Sequence, residues 1–216
     1  MLLRTLLVVA LLLVAPAVPA NAAAPRCSGH VALTYDDGPT AGHTRPLLAA
    51  LRSVGARATF FDIGSNAERH PDLVRATARA GMWLGNHSWS HPRLTTLTPE
   101  ELAGEIADTQ DGLRHITGRT PKLFRPPYGD TNAAVREEAR RQGLTEVLWT
   151  VDTRDWSGVS TEAIVRSATS ATAGGVVLMH DGYRNTVDAV PQIVRGLRAK
   201  GLCPGRITAD GRVVAP

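Results

Sequence analysis

Two histidines lie four positions apart in the segment NHSWSH, as His87 and His91. Residues with this spacing on one helical turn project from the same face, so both imidazoles can reach a common metal ion. Two adjacent acids, Asp36 and Asp37, directly follow an apolar segment and can supply a third ligand. Two imidazoles and one carboxylate form an open metal set, which leaves a coordination position for water. The pattern therefore predicts a catalytic divalent-metal site.

The neighbouring carboxylates at positions 36 and 37 suggest separate roles for the two acids. Adjacent negative charges repel each other unless a cation lies beside them, and a metal ion accounts for both. One carboxylate can bind the ion, while the other can accept a proton from metal-bound water, whose pKa falls to about 7 on zinc. Two simpler interpretations stay open. Asp-Asp-Gly-Pro is also typical of a plain turn, and two histidines are also compatible with ordinary surface or core positions.

The elements that must position these residues follow a β/α pattern, because short apolar segments alternate with longer amphipathic ones. The predicted strands are Val31–Tyr35, Ala58–Ile63, Trp83–Gly85, Lys122–Phe124, Glu146–Val151 and Val176–Met179. The predicted helices are Arg45–Val54, Pro71–Ala80, Thr98–Ile116, Asn132–Gln142, Thr161–Thr172 and Thr186–Lys200. The third helix has the clearest signals, because Thr-Pro-Glu-Glu supplies an N-cap, a first-turn proline and a capping-box carboxylate. Gly118 is expected to end it.

Polar residues follow nearly every predicted strand, namely Asp36 and Asp37, Asn86 and His87, Arg125, Asp152 to Asp155, and His180 with Asp181. In a barrel, all the carboxyl ends of the strands meet around one mouth, so these groups would converge. An open doubly wound sheet would spread them along an edge, and the glycine-rich phosphate turn of a nucleotide-binding sheet is absent from the sequence. We therefore predict an α/β barrel.

The amino-terminal residues have the features of a secretory signal: an early charge at Arg4, an apolar segment from Leu6 to Val14, and small residues up to Ala24. The apolar segment is shorter than the roughly 18 to 20 residues that span a bilayer, and no later segment is long enough. We predict a signal peptide over residues 1–24, a single domain over residues 25–216, and a secreted, extracellular protein.

The two cysteines of the chain, Cys27 and Cys203, are predicted to form a disulfide, because an exported protein meets oxidising conditions. The formal net charge of +4 comes from arginines that are spread along the chain and never form a run of more than two. This distribution gives no support for nucleic-acid binding. We expect a monomer without a membrane span.

Five motifs carry a resemblance to a known family: TYDDGP at 34–39, HSWSH at 87–91, RPPYG at 125–129, DTRDW at 152–156 and LMHD at 178–181. Together, and in this order, they resemble the NodB-type polysaccharide deacetylases, carbohydrate esterase family 4. Within that family the chain looks most like the streptomycete acetylxylan esterases and chitooligosaccharide deacetylases, which share the LFRPPYG and GLTEV segments. The resemblance implies a distorted, incomplete (β/α) barrel, the NodB homology domain.

The resemblance also implies the central catalytic roles. Asp36 matches the general base, and His180 matches the general acid. Asp37, His87 and His91 match the ligands of a divalent metal, for which zinc is favoured and cobalt or nickel are possible.

Further residues match supporting roles in the same family. Arg125 matches the residue that orients the base, and Asp155 matches the carboxylate that binds the acid. The backbone N–H of Tyr128 matches an oxyanion donor. Trp156 and Leu178 match pocket walls, with Leu178 under the acetyl methyl group.

The other aromatic residues are assigned from their positions in the sequence. Trp89 and Tyr183 lie within or beside the predicted mouth, where a ring can stack on a sugar or serve ordinary packing. Trp83 and Trp149 lie inside predicted strands and are expected in the core.

The function implied is removal of acetyl groups from carbohydrate by a metal-dependent hydrolase. The substrate would be an acetylated oligo- or polysaccharide: N-acetylglucosamine polymers such as chitin oligosaccharides or peptidoglycan, or O-acetylated xylan. Two alternatives remain. A glycoside hydrolase would use two of Asp36, Asp37, Asp152 and Asp155 as its carboxylate pair, although this leaves the histidines unexplained. A non-catalytic carbohydrate-binding domain would keep the fold without the chemistry.

Overall fold

A computed structural model describes residues 27–216, so the predicted signal peptide, residues 1–24, lies outside the described residues. The strands are β1 Gly29–Gly38, β2 Thr59–Asp62, β3 Trp83–Asn86, β4 Leu123–Phe124, β5 Thr145–Glu146, β6 Val151–Asp152, β7 Val176–His180, β8 Leu202–Ile207 and β9 Val213–Val214. The helices are α1 Thr44–Ser53, α2 Gly64–Arg69, α3 Pro71–Arg79, α4 Pro99–Thr117, α5 Ala133–Arg141, α6 Thr161–Ala168 and α7 Arg184–Ala199.

The sheet is curled, with its main strands parallel in the order β5-β4-β3-β2-β1-β7-β6. At its amino-terminal end, β1 also pairs with β8, which is antiparallel to β9. Within residues 27–216 the outermost strands of the main order, β5 and β6, do not pair with each other, so the barrel is open there. The predicted distorted and incomplete barrel is confirmed.

Strand β1 shows why the sheet is buried on both faces. Val31, Leu33 and Tyr35 pack with helix residues in the largest apolar cluster. Ala32 belongs to a separate apolar cluster with residues of other strands and of the segment after β5. Because successive side chains of a strand point to opposite faces, a strand covered on both sides has a continuous apolar sequence. This buried segment is followed by Asp36, near the carboxyl end of β1.

One predicted strand, Glu146–Val151, is wrong in its extent. The chain pairs with β4 up to Glu146, and it pairs with β7 only from Val151 onward. Between these points it crosses the open side of the barrel, where the carbonyls of Val147 and Leu148 accept hydrogen bonds from the Arg125 side chain. Here hydrogen bonds from a side chain that is distant in sequence take the place of strand pairing. The local pattern of apolar residues does not reveal such a replacement.

Three further elements were not predicted. Helix α2 is six residues long and begins at Gly64, so it has almost no apolar periodicity. Strands β8 and β9 follow the last predicted strand, and the Cys-Pro-Gly segment of β8 resembles a turn. The predicted disulfide between Cys27 and Cys203 is confirmed, with Cα atoms 5.6 Å apart, and it joins the start of the described chain to β8. Among residues 27–216, none of the helices combines the length and apolar character of a bilayer span.

Helix α4 begins and ends as its sequence predicts. The side chain of Thr98 accepts a hydrogen bond from the backbone N–H of Glu101, and the Glu101 carboxylate accepts one from the backbone N–H of Thr98. Gly118 ends the helix in the left-handed conformation, with φ 71°. Because α4 packs against α2, α3 and α5, its start affects a large part of one side of the barrel.

Replacing Thr98 with alanine should lower the free energy of unfolding by about 1 kcal/mol, because the N-cap acceptor is lost. Urea denaturation followed by circular dichroism measures this change. Thr120→Ala, at an exposed position after the same helix, is the matched control and should change stability much less. Equal stability of the Thr98 and Thr120 variants would contradict the prediction.

Candidate active site

A cavity of about 390 Å³ opens at the carboxyl ends of the strands. Its walls combine ionisable groups with aromatic and aliphatic ones. The lining residues are Asp36, Asp37, His87, His91, Tyr128, Trp149, Asp152, Trp156, Leu178 and His180. These residues come from five separate segments of the sequence. They meet at one place, as expected for the mouth of a barrel.

Three side chains in this cavity form a set of metal-type donors. Nε2 of His87 lies 3.4 Å from Oδ1 of Asp37, and Nε2 of His91 lies 3.3 Å from the same oxygen. All three donor atoms lie within 4.8 Å of one another. Nδ1 of His87 lies 2.7 Å from the carbonyl oxygen of Arg125. Because a carbonyl can only accept, Nδ1 of His87 carries the hydrogen, so the neutral imidazole presents the lone pair of Nε2 to a ligand.

These residues fit a divalent metal ion. Two imidazole nitrogens and one carboxylate oxygen are donors that zinc takes in catalytic sites. Oδ1 of Asp37 is buried and has no hydrogen-bond partner, which a bound cation would supply. Burial alone would raise the pKa of Asp37, but its electrostatic interactions with the nearby imidazoles of His87 and His91 outweigh it and lower that pKa to about 2. Asp37 is therefore ionised, as a ligand must be.

The two ligand segments are not helical, which corrects the expectation that His87 and His91 project from one helical turn. Residues 87–91 form an irregular loop in which Ser88 and His91 have left-handed backbones, with φ 62° and 63°. Asp37 is also left-handed, with φ 68°. Such conformations are uncommon for residues other than glycine, so surrounding contacts must stabilise them.

Helix α2 connects the two ligand segments. The side-chain N–H of Asn66 donates to the carbonyl of Asp37 at 2.9 Å. At the start of the same helix, the backbone N–H groups of Gly64 and Ser65 donate to two carbonyls of the 87–91 loop, at 2.9 and 3.0 Å. The helix that the sequence did not reveal therefore sets how the first ligand lies relative to the other two.

Glu105 of α4 binds the same loop from the other side. Its Oε2 accepts hydrogen bonds from the backbone N–H groups of Trp89 and Ser90, both at 2.8 Å, and its Oε1 accepts one from the Ser90 hydroxyl at 2.6 Å. Charge-assisted hydrogen bonds of this kind are stronger than neutral ones. The carboxylate thus stabilises the turn between the two candidate histidine ligands. Its role could not be read from the sequence, because Glu105 looks like any other charged residue of α4.

The candidate base, Asp36, is buried and bound by an equally buried arginine. Nη1 of Arg125 donates to Oδ1 of Asp36 at 2.8 Å and to the hydroxyl of Thr34 at 2.8 Å. Nε and Nη2 donate to the carbonyls of Val147 and Leu148, at 3.0 and 3.3 Å, and the guanidinium lies 4.2 Å from the ring centroid of Phe61. Oδ2 of Asp36 lies 3.7 Å from Nε2 of His87, on the side of the metal donors. Arg125 therefore fixes one carboxylate oxygen and directs the other to the site.

The candidate acid, His180, is bound by the second buried carboxylate. Its Nδ1 lies 2.8 Å from Oδ1 of Asp155, whose Oδ2 accepts hydrogen bonds from the His180 backbone N–H at 2.8 Å and from the Thr186 hydroxyl at 2.6 Å. Burial lowers the pKa of His180, but the hydrogen bond and charge of Asp155 outweigh it, and the pKa is raised above its ordinary value. The imidazole consequently stays protonated to higher pH than a free histidine.

The predicted wall residues are only partly found in the cavity. Tyr128, Trp156 and Leu178 line it. Tyr128 has a left-handed backbone, with φ 61°. Tyr183 is not among the lining residues, but its ring centroid lies 6.3 Å from that of His180, which places it beside the acid.

Of the two roles that the sequence left open for Trp89, sugar stacking and ordinary packing, the structure shows packing. Its ring packs against Gly64 and Gly112, between α2 and α4, and lines a separate surface groove instead of the cavity. Because Glu105 accepts the N–H groups of positions 89 and 90, the loop turns there and directs this residue away from the mouth.

Two cavity residues were assigned differently or left unassigned by the sequence. Trp149 was expected in the core. It packs against one apolar cluster, but it is only half-buried and also lines the cavity, because the chain crosses the open side of the barrel there and is not a strand. Asp152 also lines the cavity, as predicted for a polar residue at a strand end, although the sequence offered it a chemical role only as a possible hydrolase carboxylate.

Comparisons with known proteins agree with this geometry. A sequence model of the polysaccharide deacetylase family matches residues 23–147. The chain is 42% identical over 193 residues to the bifunctional xylanase/xylan deacetylase of Cellvibrio japonicus. It is 37% identical over 182 residues to a peptidoglycan-N-acetylglucosamine deacetylase of Bacillus cereus. These matches cover 88% and 82% of this chain, but only 29% and 66% of the two relatives.

A solved structure gives a more complete match. The family 4 carbohydrate esterase from Streptomyces lividans, determined in complex with acetate, is similar with a TM-score of 0.86 and 50% sequence identity. The similarity covers 88% of this chain and 99% of that one. Since the family model matches more than half of the sequence and the curled sheet matches nearly the whole of a solved member, the chain belongs to the polysaccharide deacetylase family, carbohydrate esterase family 4.

Proposed function

We propose that this chain is a metal-dependent deacetylase that releases acetate from acetylated oligo- or polysaccharides. The substrate would be an N-acetylglucosamine polymer, such as a chitin oligosaccharide or peptidoglycan, or O-acetylated xylan. The observation that carries the proposal is the presence, in one cavity, of three metal-type donors, a carboxylate bound by arginine and an imidazole bound by a carboxylate.

Asp37, His87 and His91 would hold the ion, and their donor set favours zinc, with cobalt or nickel as alternatives. When bound, a divalent ion supplies Lewis acidity toward the acetyl carbonyl and makes water a stronger nucleophile. Asp36 accepts the proton of the attacking water through Oδ2, because Arg125 already binds Oδ1. The negative charge that develops on the carbonyl oxygen is stabilised by the backbone N–H of Tyr128.

His180 then donates a proton to the departing nitrogen or oxygen of the sugar, and the products are acetate and a free amine or hydroxyl. Asp155 keeps the acid protonated and fixes its orientation. The acetyl methyl group lies against Leu178, which lines the cavity beside the acid. An ester requires less from the acid than an amide, so the same residues serve both bond types.

We further propose that the protein is exported and acts as an extracellular monomer. A disulfide between Cys27 and Cys203 supports an oxidising compartment, because disulfides seldom persist in a reducing cytosol. The candidate leader, residues 1–24, immediately precedes this bridge.

The zinc-loaded chain should release acetate from at least one of chitooligosaccharide, peptidoglycan and acetylxylan, and a chelator should abolish this release until zinc or cobalt is restored. Asp36→Asn should lower the rate on the order of a hundredfold or more, because the base is lost. Asp108→Asn, at an exposed position of α4, is the matched control. Equal acetate release by the wild type and Asp36→Asn would overturn the mechanism, and new reducing ends without acetate would indicate a glycoside hydrolase.

Asp155→Asn should move the alkaline limb of the pH profile of kcat to lower pH. The acid works while His180 is protonated, so the rate falls as pH rises through its pKa. Removing the charge that raises this pKa makes the fall begin earlier. Steady-state acetate release between pH 5 and pH 10 measures the shift. Asp188→Asn, which removes an exposed partner of Arg184, should leave the limb in place. An unmoved limb in Asp155→Asn would contradict the proposal that Asp155 keeps His180 protonated as the acid.

Glu105→Gln should weaken zinc binding by about 10- to 100-fold, as is typical when a group that orients metal ligands is lost. The variant keeps the size of the side chain but removes the charge that binds the 87–91 loop. Competition with a chelating dye measures the affinity without reference to activity. Glu100→Gln, in the exposed first turn of the same helix, is the control. Unchanged affinity in Glu105→Gln would show that the loop does not depend on this carboxylate.

A further inference from the structure

Asp152 is the only carboxylate in the lining of the cavity that has no basic partner among the described residues. Asp36 is bound by Arg125, and Asp37 lies between two histidines. Asp152 is exposed, and its one hydrogen bond, at Oδ1, comes from the backbone N–H of Arg154 at 2.8 Å. The Arg154 guanidinium is instead turned over the ring of Trp156, at 5.9 Å from the centroid. No lysine or arginine appears among the residues that line the cavity.

The position of Asp152 places this charge next to the acetyl group of the proposed substrate. Asp152 ends β6 and is the register partner of Leu178 on β7. A sugar whose acetyl methyl lies on Leu178 must therefore have part of its ring near Asp152. Trp149 and Trp156, which line the same cavity, offer flat apolar faces for that ring. Pockets of this kind bind through apolar walls and use a few polar groups to fix orientation.

We propose that Asp152 selects uncharged acetylated glycans. This inference rests on the proposed deacetylase function and narrows its substrate class. A carboxylate accepts strong hydrogen bonds from hydroxyl groups, so its second oxygen, Oδ2, binds a hydroxyl of the sugar that carries the acetyl group. The same charge repels a carboxylate on the substrate, such as a lactyl ether or a uronic acid. Specificity then comes from an attractive contact with one class of substrate and a repulsive contact with the other.

The test compares two probes of equal length with the zinc-loaded enzyme at pH 7. One is a neutral N-acetylglucosamine tetramer, and the other is a peptide-free glycan tetramer in which alternate sugars carry a lactyl carboxylate. Wild type should show the higher kcat/KM for acetate release on the neutral probe. Asp152→Asn removes the charge and should reduce this preference by at least about fivefold, the effect of one close charge pair near water. Asp152→Ala also removes the acceptor and should lower kcat/KM on the neutral probe.

A second arm of the test varies the salt concentration. Raising the ionic strength from about 0.01 to 1 M shortens the screening length from about 30 to 3 Å, so the preference of the wild type should decrease while that of Asp152→Asn should not. Asp108→Asn is the control that should keep the wild-type preference. An equal preference in wild type and Asp152→Asn would overturn this inference and leave the deacetylase proposal standing. Release of acetate from neither probe, nor from any acetylated glycan, would overturn both.

Discussion

A single buried arginine connects the parts of this molecule that the chemistry requires. Arg125 has no exposed surface, and its side chain binds Asp36 and Thr34 of β1 together with the carbonyls of the segment that crosses the open side of the barrel. Its own carbonyl oxygen lies against Nδ1 of His87. A buried guanidinium is costly unless its donors are satisfied, and here its three nitrogens donate to groups from two different parts of the chain, β1 and the 147–148 segment. The residue that orients the candidate base therefore also binds the segment that crosses the open side of the barrel and, through its carbonyl oxygen, sets the tautomer of one metal-type donor.

The same interaction, a buried carboxylate beside a base, occurs twice in the cavity with different consequences. Arg125 stays charged at any ordinary pH, so the pair with Asp36 fixes the geometry of a carboxylate. His180 can lose its proton, so the pair with Asp155 changes the pH at which an imidazole is charged. In the proposed reaction the first pair presents a proton acceptor and the second a proton donor. Two opposite functions thus arise from one kind of contact, because the two basic partners differ in how easily they deprotonate.

The positions of the metal-type donors depend on unusual backbone conformations in the segments that carry them. Three residues in the two ligand segments, Asp37, Ser88 and His91, adopt left-handed conformations that L-residues seldom adopt. Hydrogen bonds from α2 and to Glu105 of α4 stabilise the segments that contain them. Both helices pack on the outside of the sheet, so the outer layer of the barrel determines the shape of its mouth. Such residues act on the metal site without contacting it.

The sequence by itself determined the residue types of the candidate site and the barrel that brings them together. Donor chemistry depends on residue identity, and the alternation of apolar and amphipathic segments identifies the strands whose carboxyl ends must meet. It also determined the boundaries of α4, because the capping box and Gly118 are local signals.

Only the tertiary structure decided how the loops between these elements run. It therefore decided that Trp89 packs between α2 and α4, and that Trp149, expected in the core, packs against an apolar cluster and also lines the cavity. The same holds for α2 and for the interruption between β5 and β6, since both depend on hydrogen bonds to residues distant in sequence. Local patterns specify elements through periodicity, whereas a loop direction depends on contacts such as those of Glu105 and Arg125 that leave no periodic trace.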